Sequence, residues 1–311
     1  MFGLFGGETF KPEQDIPALA GKVILVTGGN TGLGYESVLQ LAKHEPKEIY
    51  LAARTESKAL KAIEEIKAAV PNAAITFLKL DLTDFKSVES AAKEFTSKSD
   101  RLDILLNNAG VMALPYSKTA QGYEIQFGTN HMGHALLTKL LLPTLVKTAA
   151  EAPDSDVRII NLSSAGHQLA PSGGIVFNQD ALETYGTWAR YGATKLANIL
   201  HARVLSAKYP QITCAAVHPG VILTDLYASS QQSSFIVRWG LKTVGSLAMR
   251  DVHYGALNQL WASTVSKEKV RQSIYWVPVG SASAGSAYAR DEKLAQKLWD
   301  YTEEELKKHG Y

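Results

Sequence analysis

The chain has 311 residues, 46% hydrophobic and 20% charged, which suits a globular protein with a real core, and no stretch reads as a linker. Thirty-two basic residues against thirty acidic ones leave a formal charge of +2, so nothing in the balance points to nucleic acid. The one cysteine, Cys214, excludes an internal disulfide and indicates a reducing compartment. It lies in the apolar run 212–217 and reads as a buried small hydrophobe.

In chain order, strand-like and helix-like segments alternate. The apolar opening, 1–7, is too short to span a bilayer and lacks a basic flank. No lipidation, retention or peroxisomal signal stands at either end, so the expectation is a cytoplasmic protein with no integral membrane segment. Residues 1–20 read as an extension and 21–311 as one domain. Strands are expected at 23–27, 48–53, 74–80, 102–106, 157–162, 212–217 and 274–279. Helices are expected at 34–43, 56–69, 84–98, about 120–148, 189–208 and 291–308. Continuous Val/Ile/Leu strands between helices mean a parallel sheet covered on both faces. The expected fold is therefore α/β, a Rossmann-type, doubly wound, seven-stranded parallel sheet whose ligands bind at the carboxyl ends of the strands.

The first chemical motif is Thr27-Gly28-Gly29-Asn30-Thr31-Gly32-Leu33-Gly34, directly after strand one and opening a helix. Glycines at 28, 32 and 34 let the backbone turn tightly and approach a pyrophosphate. The helix behind them offers free N–H groups and the positive end of its dipole. The ATP-type loop is excluded because no Gly-Lys-Ser/Thr follows. Strand two ends in Ala52-Ala53-Arg54-Thr55 with Lys58 one turn on, where an NAD-type site would carry a carboxylate. A guanidinium pairs with a 2′-phosphate that a carboxylate would repel, so NADP(H) is preferred over NAD(H). The plainer alternative is that Arg54 and Lys58 are solvated charges. Asp81, ending strand three, is placed to accept from the adenine amino group.

Later come Asn107-Asn108-Ala109-Gly110, Thr129-Asn130, Ser163-Ser164, Tyr191-x-x-x-Lys195 and Pro219-Gly220. In this order and spacing the chain resembles the short-chain dehydrogenase/reductase family, with its classical-type fingerprint, from about Gly21 to at least Thr224. The resemblance implies a catalytic set of Asn130, Ser164, Tyr191 and Lys195. It implies cofactor contacts from Gly28, Asn30, Thr31, Gly32, Leu33 and Gly34, from Asp81 and Leu82, and from Asn108, Ala109 and Gly110. Asn108 would lie beside the adenosine ribose. Pro219, Gly220, Val221 and Thr224 would follow strand six, with Thr224 on the carboxamide. Asn130-His131-Met132-Gly133-His134, Lys195-Leu196-Ala197-Asn198 and Leu298-Trp299 are similar to retinol-dehydrogenase-like carbonyl reductases. The lack of an N-terminal membrane anchor departs from that branch and weighs against a membrane-borne retinoid.

The chemistry follows from spacing. Residues four apart share a helix face, about 6 Å apart along the axis. Free tyrosine, with a pKa near 10, is ionised to roughly one part in a thousand at neutral pH. A lysine ammonium one turn away, with a cationic nicotinamide, draws Tyr191 toward working pH. Tyr191 then exchanges a proton with the carbonyl oxygen, and Ser164, rather than Ser163, directs that oxygen. Lys195 would also hold the cofactor's ribose. By resemblance alone, Asn130 would seat a water relaying protons to Lys195.

His131 and His134 lack a third partner that would make a metal site, so no metal is expected. His218 reads as a packed strand end. The segment 228–250, within a substrate lid at about 224–250, carries Phe235, Ile236, Trp239, Val244 and Leu247 roughly on one side. That stripe suits a lid over a small hydrophobic carbonyl or alcohol, a homo-oligomer contact, or a membrane surface. The favoured activity is an NADP(H)-dependent carbonyl reductase or alcohol dehydrogenase. A non-catalytic NADP(H) sensor or scaffold is the alternative; an epimerase or dehydratase fits the glycine spacing poorly.

Overall fold

The computed structural model describes residues 9–151, 155–220 and 252–311. Short apolar runs form one sheet: β1 (Val23–Thr27), β2 (Glu48–Ala53), β3 (Ile75–Lys79), β4 (Ile104–Asn107), β5 (Arg158–Leu162), β6 (Thr213–Val217), β7 (Tyr275–Val277) and β8 (Ser281–Ser283). Their order is β3-β2-β1-β4-β5-β6-β7-β8, parallel throughout except at β8. Every residue of β1, β4, β5 and β6 is buried, because helices cover both faces. Each fully buried Ile or Leu there contributes about 1.5–3 kcal/mol.

The strand count corrects the expectation of seven parallel strands. β8 returns antiparallel on β7, pairing Val277 with Ser281, through a turn in which Gly280 has φ +61°. Its Ser-Ala-Ser sequence has no apolar alternation, since it lies at the open edge of the sheet.

Two apolar layers flank the sheet. On one face pack α1 (Gly32–Ala42), α2 (Glu56–Ala69) and, much later in sequence, α6 (Val252–Thr264). On the other lie α3 (Phe85–Lys98), α4 (Gly133–Ala150), α5 (Thr187–Lys208) and α7 (Glu292–Lys308). Residues 9–20 join the first layer through buried Phe10, Ile16 and Leu19, so this part of the expected extension is built into the core.

The helix expected from about 120 begins later. Gly122, at φ +86°, turns the chain, and the Glu124 carboxylate accepts from Gln126 N at 3.0 Å and Phe127 N at 2.8 Å, capping a helix that starts at Ile125. A π-helical turn, Gly128–Met132, then leads into α4. That widened turn brings Asn130 toward the sheet. Among the described residues no helix is long and apolar enough to cross a membrane.

Candidate active site

The strand order reverses between β1 and β4, and a cleft of about 370 Å³ opens at their carboxyl ends. Its floor is the β1–α1 turn, which needs glycine for reasons of space. A Cβ on Gly34 would fall 2.2 Å from the Gly28 carbonyl oxygen, and one on Gly28 would meet Ala109 at 3.1 Å, at φ +68°. The side chain of the N-cap residue, Thr31, does not cap α1, and the N–H groups of the first turn point out of the cleft end of the helix. This positively polarised turn fits a dinucleotide pyrophosphate.

The opposite wall is the last turn of β4. Thr27 Oγ1 accepts the amides of Asn108 at 3.0 Å and Ala109 at 2.9 Å, while Asn108 Nδ2 donates to Thr27 O at 2.8 Å. Gln259, on α6, donates to Asn108 Oδ1 at 3.2 Å and Ser37 Oγ at 2.6 Å. Both polar ends of the Asn108 side chain thus brace the turn, and the residue lines the cleft. His134 completes this brace: Nδ1 donates to Asn130 O at 3.1 Å, which leaves Nε2 to accept from the Thr27 hydroxyl at 2.9 Å. Burial drops its pKa to about 4, so this ring is neutral. His131 is satisfied elsewhere, by Thr302 Oγ1 at 2.9 Å.

The reactive groups come from β5 and α5. Lys195, 4% exposed, donates from Nζ to Leu162 O at 3.0 Å and lies 5.7 Å from the Tyr191 ring centroid. Burial lowers its pKa to about 8. Ser163 Oγ donates to Lys195 O at 2.7 Å, so that serine ties β5 to α5. Ser164 instead lines the cleft, its Oγ accepting from Gly166 N at 3.0 Å. Gly166 lets the two hydroxyl-bearing residues converge, since a Cβ there would lie 2.9 Å from Tyr191 Cε1 and 3.3 Å from Ser164 Oγ.

Asn130 stands behind this group. Its Oδ1 accepts from Val111 N at 2.7 Å, and its Nδ2 donates to Val111 O at 2.9 Å and Thr194 Oγ1 at 3.0 Å. The side chain is therefore a brace between β4 and α5. Arg190 anchors the start of α5, donating to Tyr185 O at 2.7 Å and Leu114 O at 3.0 Å beside buried Glu124.

Of the residues singled out from sequence, Gly28, Thr31, Gly32, Leu33, Asn108, Ala109, Gly110, Ser164, Tyr191, Lys195, Pro219 and Gly220 line this one cleft. Gly34 and Asn130 lie directly behind its walls. Asn30 is half-buried in the β1–α1 turn. Arg54 and Lys58 are exposed beyond β2. Asp81 and Leu82 follow β3, where Asp81 Oδ1 accepts from Thr83 N at 3.0 Å and Thr83 Oγ1 at 2.7 Å. Val221, Thr224 and the expected lid lie outside the described residues.

Sequence reasoning missed Met112 and Trp188, which also line the cleft; Trp188 stands edge-on to Tyr191 at 6.2 Å. It missed Asn258, whose Nδ2 holds His218 O at 2.8 Å and Trp276 O at 3.0 Å. The one signal was an adjacent amide pair, Asn258-Gln259, inside an otherwise apolar helix. His218 does line the cleft, yet burial drops its pKa to about 4 and its Nδ1 accepts from Gly220 N at 3.3 Å, which makes it a turn residue and not an acid at neutral pH.

Known proteins share this arrangement. The family model described as short chain dehydrogenase matches residues 22–234. A short-chain dehydrogenase/reductase of Aspergillus calidoustus is 43% identical over 308 residues, covering 94% of this chain and 96% of that protein. Retinol dehydrogenase 11 of Mus musculus is 39% identical over 292 residues, covering 91% and 85%. A crystal structure of a Mycobacterium paratuberculosis protein superposes with a TM-score of 0.73 at 27% identity, over 97% of this chain and 98% of that one. Matched along nearly its whole length by such relatives, and across its β1–α1 turn and Tyr191 by the family model, the chain belongs to the short chain dehydrogenase family of oxidoreductases.

Proposed function

We propose that the protein is an NADP(H)-dependent oxidoreductase that interconverts a hydrophobic alcohol and its ketone or aldehyde. The observation that carries this reading is the convergence of Ser164, Tyr191 and Lys195 on one cleft whose floor is a glycine turn at a helix N-terminus. A pure binding site needs no such hydroxyl pair.

A nicotinamide cofactor bound there supplies or accepts the hydride. The chain's own residues do the rest. In reduction, the Tyr191 hydroxyl donates its proton to the substrate carbonyl oxygen. Ser164 Oγ donates a hydrogen bond to the same oxygen and fixes its direction. Lys195 keeps two donors beyond the one given to Leu162 O, and these suit the ribose hydroxyls of the cofactor. Its ammonium favours the tyrosinate left after transfer. Asn130 holds β4 against α5 and so keeps Tyr191 and Lys195 in register.

The apolar walls, Met112, Leu162, Ala165 and Trp188, support a hydrophobic substrate. A relative named for retinol, an apolar alcohol, agrees with that class. For the cofactor, the turn after β2 holds Arg54 and Lys58, and Lys79 Nζ donates to Arg54 O at 2.5 Å, adding a third cation. Arg54, Lys58 and Lys79 outnumber the one carboxylate of this turn, Glu56, which suits a 2′-phosphate. Asp81 remains the candidate for the adenine amino group. A single cysteine, Cys214, with no partner for a disulfide suits a reducing compartment such as the cytosol.

The test is oxidation of NADPH and NADH by the purified protein against a panel of apolar aldehydes and ketones. NADPH should be preferred, and Arg54→Asp should cut the NADPH/NADH ratio of kcat/KM roughly ten- to hundredfold, the worth of a charge-assisted hydrogen bond. An unchanged ratio would remove Arg54 as the phosphate reader. NADPH binding without turnover of any carbonyl would favour a cofactor sensor.

A further inference from the structure

Ser164 opens a short 3₁₀ turn, Ala165–Leu169, and the third residue of that turn reaches back to it. The Ser164 carbonyl accepts twice from His167, from the backbone amide at 3.0 Å and from ring Nδ1 at 2.8 Å. The other ring nitrogen, Nε2, accepts from the backbone amide of Ser286 at 3.1 Å. A carbonyl only accepts and an amide N–H only donates. The two bonds therefore fix a neutral imidazole with its proton on Nδ1. The ring is 1% exposed, and Tyr275 packs against it edge-on with centroids 5.0 Å apart. Gly285, at φ +67°, turns the chain just before Ser286.

The tie spans the chain. Ser286 lies 119 residues downstream, between β8 and α7, in a segment that sequence reading gave no role. A second bond, from Gly173 N to the Tyr288 hydroxyl at 2.8 Å, joins the same two stretches. The turn thus has an internal bond of its own, from His167 N, and an outside anchor that passes through the imidazole. The internal bond preserves the turn's shape. The imidazole links that turn to the Ser286 stretch, while the turn also packs on α5, where a Cβ on Gly192 would lie 2.8 Å from Gly166 O.

We propose that His167 is a positioning residue for Ser164: bridging the Ser164 carbonyl and the Ser286 amide, it holds the serine hydroxyl where the substrate oxygen must lie. This rests on the reading of Ser164 as the group that directs that oxygen. A displacement of about 1 Å in such a group can cost a hundredfold in rate. Cofactor binding, which uses the other side of the cleft, should barely respond.

Four variants, His167→Phe, His167→Asn, His167→Gln and Ser164→Ala, are compared for kcat, KM and NADPH affinity with the best carbonyl of the panel. An asparagine amide nitrogen sits where Nδ1 does and can keep only the bond to Ser164 O, whereas a glutamine amide sits where Nε2 does and can keep only the bond to Ser286 N. All three His167 variants should lose roughly ten- to hundredfold in kcat with NADPH affinity within about twofold of the parent, since each breaks the link between Ser164 O and Ser286 N. If His167→Phe does not fold, the turnover of the Asn and Gln variants decides the matter. Full turnover in any folded His167 variant would overturn the proposal while an inactive Ser164→Ala left the serine's role intact. Full turnover in Ser164→Ala would overturn that role, and this proposal with it.

Discussion

At the scale of residues, the site depends on a lysine held where lysine is costly. Lys195 is buried against Leu162 O and Tyr191, and burial brings its pKa down to about 8. Below that value it is an ammonium and favours the tyrosinate; above it the charge is lost. Reduction also needs the Tyr191 proton. Both requirements fail in the same direction, so kcat/KM for reduction should hold through neutral pH and fall on the alkaline side with an apparent pKa near 8 that belongs to the pair. A profile flat from about pH 7 to 10 would contradict it. The pair itself was legible because four-residue spacing on a helix fixes a shared face. The braces around it were not: Asn130 meets Val111 and Thr194, 19 and 64 residues away, and His134 meets Thr27 at a separation of 107. No local pattern reveals contacts that only the finished sheet creates.

At the scale of elements, the strands announced themselves as short apolar runs, and their buried faces explain why. Their ends did not. β4 is set in place by Asp103, a fully buried carboxylate that accepts from Val23 N at 2.9 Å and binds Arg101 through two bonds, at 2.8 and 2.7 Å, with Lys22 at 3.3 Å. This one side chain stitches β1 to β4, the two strands between which the cleft opens. Asp103→Ala would strand a buried amide and a guanidinium. The cost should be about 3–5 kcal/mol, lowering the melting temperature by roughly 5–8 °C. Differential scanning calorimetry checks this, and an unchanged melting temperature would show that the network is ornamental. The expected helix from about 120 failed for a related reason, because Gly122 and the Glu124 cap are turn chemistry lying inside a helix-like pattern. β8 escaped notice because an edge strand of Ser-Ala-Ser carries no apolar period.

At the scale of the whole molecule, the reversal of strand order between β1 and β4 decides where everything meets. Turns after β1, β4, β5 and β6 converge there, joined by the start of α5. The later chain does more than close the fold. Asn258 and Gln259 on α6 clamp the far walls of the cleft, and Ser286 reaches the Ser164 turn through His167. The reaction class was legible because its residues fall at fixed spacings inside an α/β pattern; the supporting shell was not, because it is assembled from three distant segments. The central claim is that Tyr191 moves the proton. It is tested most directly by Tyr191→Phe, measuring NADPH affinity by fluorescence titration alongside NADPH oxidation with the best carbonyl of the panel. Affinity within about twofold of the parent, with turnover reduced at least a hundredfold, is the predicted result, since general acid catalysis is worth roughly 10²–10⁴. Turnover within a few-fold of the parent would contradict it, and the proton donor would have to be sought elsewhere in the cleft.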